Sequence, residues 1–215
     1  MKGKIAIFVD HPRVSIHGAN GLFNALGSDY QFKVFTRHEI PYKSGWDDVD
    51  IVAVPGGIGD YMTFSRVMKH HIDPIKSFLD RGGRYLGICM GAYWAGSMFL
   101  DILKGRDCVQ YLRRPKTDTH RPHAKDLDVT WLGNKETMFW YDGCSITGKG
   151  KFDVVATYPN GDAMAGYQDR IGLIGSHPEA EQFWYDEYSW MKPKWINKER
   201  NHELLHDFVD ELMKR

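Results

Sequence analysis

The sequence carries no excess of either charge sign: 28 Lys and Arg balance 28 Asp and Glu, for a formal net charge of zero. Chains that grip a nucleic-acid backbone ordinarily show a basic surplus, so no nucleic-acid partner is expected. Cysteine is scarce. Cys89, Cys108 and Cys144 are odd in number, widely spaced and form no CxxC pair, which argues against a disulfide framework and against a zinc knuckle. Long apolar runs are also missing. The N-terminal run Ile5-Ala6-Ile7-Phe8-Val9 ends at Asp10, too short for a signal-peptide core or a bilayer span. Repeats, low-complexity tracts and a dividing linker are absent as well. These absences point to a reduced, cytoplasmic chain without a membrane partner.

The 215 residues, 42% of them hydrophobic, suffice for a single α/β domain spanning 1–215. Its first half alternates. Lys4–Val9, Gln31–Phe35, Asp50–Val54 and Arg84–Ile88 read as strands, and the first, third and fourth are apolar on both faces. Between them, 17–26 and 62–80 read as helices, the second kinked or divided by Pro74 and stopped at Gly82-Gly83. A further helix is expected over 90–103. Strand–helix alternation predicts a parallel sheet covered on both faces. From 107 to 174 the apolar segments shorten (129–131, 137–141, 152–157 and 163–167), which predicts a short antiparallel extension. Residues 170–175 form a last core strand, and 197–213 an amphipathic helix capped by Asn197.

The most informative segment is Gly87-Ile88-Cys89-Met90-Gly91-Ala92, where a buried strand runs straight into a helix. It is the cysteine form of the G-x-S-x-G nucleophile elbow. The strained turn aims the nucleophile out of the sheet, and glycines on either side let neighbouring chain come close. The positive end of the following helix favours thiolate over thiol. A cysteine in ordinary sequence is far more often a buried packing residue. Strand, glycines and helix together reverse that reading for Cys89, whereas Cys108 and Cys144 have no such context and read as structural.

A thiolate nucleophile needs an imidazole and a group to orient it. His177, in Gly175-Ser176-His177-Pro178-Glu179, emerges at a strand end, and Glu179 is near enough in sequence to reach the same ring. Alone, His-Pro-Glu is an ordinary surface turn. Pro55-Gly56-Gly57, at the end of an earlier strand, is by itself a plain β-turn. Placed beside Cys89, the N–H groups of Gly57 and Met90 would form an oxyanion hole, each donor worth about 10²–10³ in rate.

The order of these segments resembles the class I glutamine amidotransferase-like superfamily, and within it the amidotransferase-like domain at the N-terminus of biotin-protein ligases. The resemblance rests on Pro55-Gly56-Gly57 with Tyr61, on 82–93, on Tyr141-Asp142-Gly143 and on 175–179, and spans roughly residues 4–185. It implies a flavodoxin-like three-layer α/β/α fold, with the site at the carboxyl ends of the parallel strands. It implies that Cys89 attacks a carboxamide, that of glutamine first, that His177 protonates the departing ammonia, and that a separate synthetase accepts it. Gly56, Tyr93, Tyr141 and Gly143 fall at substrate-binding positions. Glutaminase members usually carry Gln four residues after the nucleophile; here Tyr93 stands there, which keeps open a Cys–His hydrolase acting on another amide. A non-catalytic binding module of the same fold is the third reading. No cofactor and no metal are expected.

Several other signals read as structural. His70-His71 and the pair His120/His123 read as solvated rather than metal-binding, and His202 and His206 as polar surface on the last helix. The basic stretch 111–116 reads as a solvated loop. The aromatic tract 183–190, with Trp195 beyond it, needs burial or a partner. Packing of the tail on the main sheet is the first expectation, and a cover near the catalytic face or a protein interface the second.

Overall fold

The computed structural model describes residues 1–39, 46–191 and 197–215. Trp195 lies outside them. Eleven strands among the described residues join one mixed sheet. Its parallel half contains β1 (Gly3–Phe8), β2 (Tyr30–Phe35), β3 (Ile51–Val54), β4 (Arg84–Ile88) and β11 (Ile171–Ile174), in the order β2-β1-β3-β4-β11. The other half is antiparallel. It continues through β10 (Ala163–Gln168), β9 (Asp153–Thr157), β6 (Lys125–Trp131) and β7 (Asn134–Trp140), with β5 (Arg106–Gln110) and β8 (Cys144–Gly148) branching from β10.

Alternate residues of β1 show why both faces must be covered. Ile5 and Ile7 pack into one core with Leu22 and Leu26 of α1 (Ile16–Leu26) and Leu205 and Phe208 of α6 (Lys198–Met213). Ala6 and Phe8 pack into the other, with Phe64 and Val67 of α2 (Tyr61–Val67) and Ile75 and Phe78 of α3 (Ile72–Asp80). The three-layer α/β/α expectation therefore holds, although the antiparallel part supplies six of the eleven strands and is larger than the short extension expected.

Two helix expectations needed correction. The stretch 62–80 is divided, but at Met68–His71, ahead of Pro74. Pro74 sits in the first turn of α3, where a missing N–H costs nothing. The helix expected over 90–103 is only α4 (Met90–Trp94). Ser97 donates its hydroxyl (2.6 Å) and its backbone N–H (3.3 Å) to the Asp107 carboxylate, and Asp101 turns with φ 50°. These local bonds compete with helix continuation and draw the chain into β5. Strands β5 and β8 had no sequence signal, since Arg106-Asp107-Cys108-Val109-Gln110 is polar and only partly buried.

Two surface assignments also change, and a third holds in part. His71 is fully buried between the rings of Phe8 and Phe35, both 5.7 Å away, and its burial lowers the imidazole pKa. Tyr111 is buried and stacks on Tyr158 at 3.9 Å, while Arg114 forms a two-point bridge to Asp162. Within 111–116 Tyr111 is packed while Arg113, Pro115 and Lys116 stay exposed, so the stretch is a solvated loop anchored at one end. His202 and His206 face partners: His202 lies beside Glu181, and the ring of His206 contacts Asp29 at 3.1 Å.

Asn197 caps α6, accepting from the Arg200 N–H at 3.2 Å, and Phe208 locks the helix to the sheet. Its ring stacks on Tyr167 at 4.3 Å and lies over Gly172. Phe208→Ala is expected to cost about 3–5 kcal/mol, the range for a large aromatic deleted from a packed core, read as a fall in the urea midpoint with an unchanged slope.

Candidate active site

Three neighbouring parallel strands deliver the three predicted segments to one end of the sheet. β3 leads into Gly56-Gly57, β4 into Cys89, and β11 into His177. Cys89 has φ 51° and ψ −102°, a strained backbone for a residue with a side chain, costing on the order of 1–3 kcal/mol. The surroundings enforce it. Cys89 donates its N–H to the Ile174 carbonyl (2.8 Å), and its carbonyl accepts from Tyr93 N–H (3.0 Å). A Cβ on Gly91 would run into the Val54 carbonyl, and one on Gly87 would meet the Gly91 carbonyl at 2.5 Å. The elbow therefore needs both glycines. With only five residues, α4 brings a much shorter dipole to the sulfur than the helix expected there.

His177 is fixed from several sides. Its N–H donates to the Phe139 carbonyl (2.9 Å), and its ring lies edge-on to Trp184 at 5.3 Å and Phe139 at 5.8 Å. Gly56 leaves room for it: a Cβ there would come within 2.6 Å of the ring. Nδ1 is 2.9 Å from Oε1 of Glu179, whose side chain is wholly buried. Burial alone would lower the pKa of His177. The charge of Glu179, then the charge and hydrogen bond of Cys89, outweigh it and raise the imidazole to about 10. The Cys89 Sγ also lies 3.6 Å from the Tyr141 carbonyl, which can accept from the thiol form. Once the proton has moved to His177, the ring becomes the sulfur's partner.

Two cavities meet at the sulfur. One, of about 230 Å³, is walled by Phe139, Tyr141, Trp184 and Tyr188 and contains His177 and Gly56. The other, of about 480 Å³, contains Met90, Tyr93, Gln110 and Asp142. Gly57, Cys89 and Tyr141 line both. Tyr93 donates its hydroxyl to the Asp142 carbonyl (3.0 Å) and occupies the position where a glutamine was noted as usual. Gly143 lines neither cavity. It lies behind the site, packed so closely on the Gly175 carbonyl and the Trp140 ring that no Cβ would fit, so its assignment to substrate binding is corrected. For the 183–190 tract the second expectation is the one the structure fits: Trp184 and Tyr185 of α5 (Gln182–Asp186) are buried against Phe139 of β7 beside His177, and Trp184 and Tyr188 wall the cavity there.

The helix expected over 17–26 is α1, but the sequence reading gave it no part in the site. Gly18 and Gly21 lie one turn apart, and Cβ atoms there would meet Glu179: at 3.7 Å from Oε1 for Gly18, and at 3.0 Å from Cγ for Gly21, where the Glu179 carbonyl is also struck. The signal was two glycines in a short helix, each costing about 1 kcal/mol against alanine. Among the described residues, no group of three or more His, Cys, Asp or Glu side chains could hold a metal ion. No helix among them is long and apolar enough to cross a membrane. Cys108 and Cys144 sit on the paired strands β5 and β8. Their mutual hydrogen bond, together with burial, pushes the Cys144 thiol well up.

Residues 13–105 match the family model described as biotin-protein ligase, N terminal. That stretch contains Gly56, Gly57, Cys89 and Met90 and stops before His177. No curated protein matches the sequence. Solved structures match over the whole length. PurLQS from Thermotoga maritima superposes with a TM-score of 0.67 at 15% identity, covering 99% of this chain and 100% of that one. A glutamine amidotransferase from Thermotoga maritima gives 0.69 at 11%, covering 100% of both. A glutamine amidotransferase from Methylobacillus flagellatus gives 0.57 at 13%, covering 100% of this chain and 90% of the other.

Two outcomes are expected. Gly21→Ala should displace Glu179 and lower the reactivity of Cys89 toward iodoacetamide while the chain stays folded by circular dichroism. A histidine whose folded pKa is raised contributes stability in full below its unfolded value of about 6.5, and loses it as pH rises through the folded value. The urea-midpoint difference between wild type and His177→Gln should therefore be largest near neutrality and below, and shrink as pH approaches about 10.

Proposed function

Starting from the class I glutamine amidotransferase-like fold that this chain has, we propose that Cys89, His177 and Glu179 act as a catalytic triad hydrolysing a carboxamide through a thioester. Cys89 Sγ attacks the carbonyl carbon, with its proton taken by His177. The oxygen then gains negative charge, and the backbone N–H groups of Gly57 and Met90 would receive it. His177 returns the proton to the nitrogen as the C–N bond breaks. Water, deprotonated by the same ring, cleaves the thioester to a carboxylate and frees the thiol. Glu179 holds Nδ1 and stabilises the imidazolium throughout.

The observation that carries this reading is the buried His177–Glu179 contact of 2.9 Å beside a strained cysteine at the mouth of two cavities. A buried charged pair beside a strained nucleophile is an expensive arrangement for packing alone, and such groups cluster at working sites.

Glutamine is the first candidate substrate, and a separate ammonia-accepting synthetase the first candidate partner, because the fold is shared with glutamine amidotransferases. Gly56, Tyr93 and Tyr141 would contact the substrate. A reducing compartment such as the cytoplasm would keep the three free cysteines as thiols. One observation favours a second reading, hydrolysis of another amide: Tyr93 offers a hydroxyl already committed to the Asp142 carbonyl where an amide side chain would seat glutamine.

Ammonia release from glutamine, measured alone and with candidate synthetases, tests the first reading. Wild type is expected to release ammonia, and Cys89→Ser to lose at least about a thousandfold in rate, as nucleophile removal does elsewhere. Release that survives the substitution would exclude Cys89. Silence toward glutamine from a protein whose Cys89 is readily alkylated would leave the amidase and exclude glutamine.

A further inference from the structure

The two cavities differ in the residues that line them, and the triad's polarity assigns each a role. His177 must protonate the departing nitrogen, so the leaving group departs on the side where His177 stands. That side is the aromatic cavity, since His177 lines it and does not line the other. Met90, a donor expected to hold the oxyanion, lines the other cavity. The acyl part of the substrate therefore occupies the lobe of Tyr93, Gln110 and Asp142, and the amine part the lobe of Phe139, Tyr141, Trp184 and Tyr188.

A primary carboxamide leaves as ammonia, which is about the size of a water molecule, roughly 30 Å³. The amine lobe offers about 230 Å³. Its walls do not suit ammonia either. The four rings form a continuous cluster: Phe139 lies 5.4 Å from Trp184 and 6.3 Å from Tyr188, and Tyr188 lies 6.3 Å from Tyr141. Tyr141 lines both cavities and remains 44% exposed. Polar groups sit at the margin, where Ser15, His17 and the Glu187 carboxylate complete the lining. Rings around a cavity with a carboxylate at its margin suit a planar apolar body joined to an amine.

We propose that the substrate is a secondary amide whose amine portion carries an aromatic ring, seated in the Phe139–Tyr141–Trp184–Tyr188 lobe. This rests on the amidase reading above and replaces the primary carboxamide as its substrate class. The balance is that of amide hydrolysis. The thioester C–S bond forms as the C–N bond breaks, the proton that left Cys89 goes through His177 to the amine nitrogen, and water then supplies the carboxylate oxygen. No oxidant or reductant is involved.

The test uses the whole protein and two primary amines, both cationic near neutral pH, that differ in carrying a ring. Alkylation of Cys89 by iodoacetamide is followed by mass spectrometry with increasing benzylamine or methylamine. Benzylamine is expected to protect at about a tenth of the concentration that methylamine needs, since one good aromatic contact is worth up to about a tenfold gain in affinity. Tyr188→Phe should keep this preference and Tyr188→Ala lose it. Equal protection by both amines, or none by either, with Cys89 still alkylated faster in wild type than in His177→Gln, would overturn the aromatic subsite and leave the nucleophile standing. Alkylation indifferent to His177→Gln would overturn the Cys–His pairing, and the subsite assignment with it.

Discussion

The proposed site depends on one buried contact, between the imidazole of His177 and the carboxylate of Glu179. His177 and Glu179 are both buried, and a buried charge whose partner is lost costs about 3–5 kcal/mol. The two groups face each other at 2.9 Å, and the charge of Glu179 holds the imidazole above its ordinary range against the cost of burial. Much of the local architecture follows from that requirement. Gly56 is a glycine because the ring lies against it, and Gly21 is a glycine because α1 closes on the backbone and side chain of Glu179, which holds the ring. The parallel order β3-β4-β11 then becomes a means of bringing three short loops to one point.

Much of this was legible in the sequence where the physics is local. Strands β1, β3, β4 and β11 are apolar on both faces, and their boundaries came out within about a residue or two, as is usual for such ends. The elbow was readable because strain, bracketing glycines and the strand-to-helix change fall within a few adjacent residues. His177 and Glu179 became informative only in company with it. Distance in the chain hid the rest. Nothing local says that Asp107 will take the hydrogen bonds of Ser97 and end a promising helix after five residues. Nothing in Gly143 separates a residue that touches substrate from one packed behind the site. The polar strand β5 acquires its identity from β8, nearly forty positions later.

The aromatic tract shows how a composition signal acquires meaning from position. An excess of rings after His-Pro-Glu told only that something had to be buried. With Trp184 edge-on to His177, those rings wall the proposed site, and the proposal for the amine part of the substrate rests on that placement. The fold is shared with glutamine amidotransferases at 11–15% identity, and at that distance chemistry has to be argued from the site.

The charge state of His177 tests the central claim most directly. Nitrogen-15 NMR of the histidine side chains at about pH 8, well above the ordinary value of about 6.5, reads both ring nitrogens. With Cys89 and Glu179 in place, both are expected to carry protons, and Glu179→Gln should return the ring to a neutral tautomer. A neutral His177 in the wild-type protein at that pH would contradict the account.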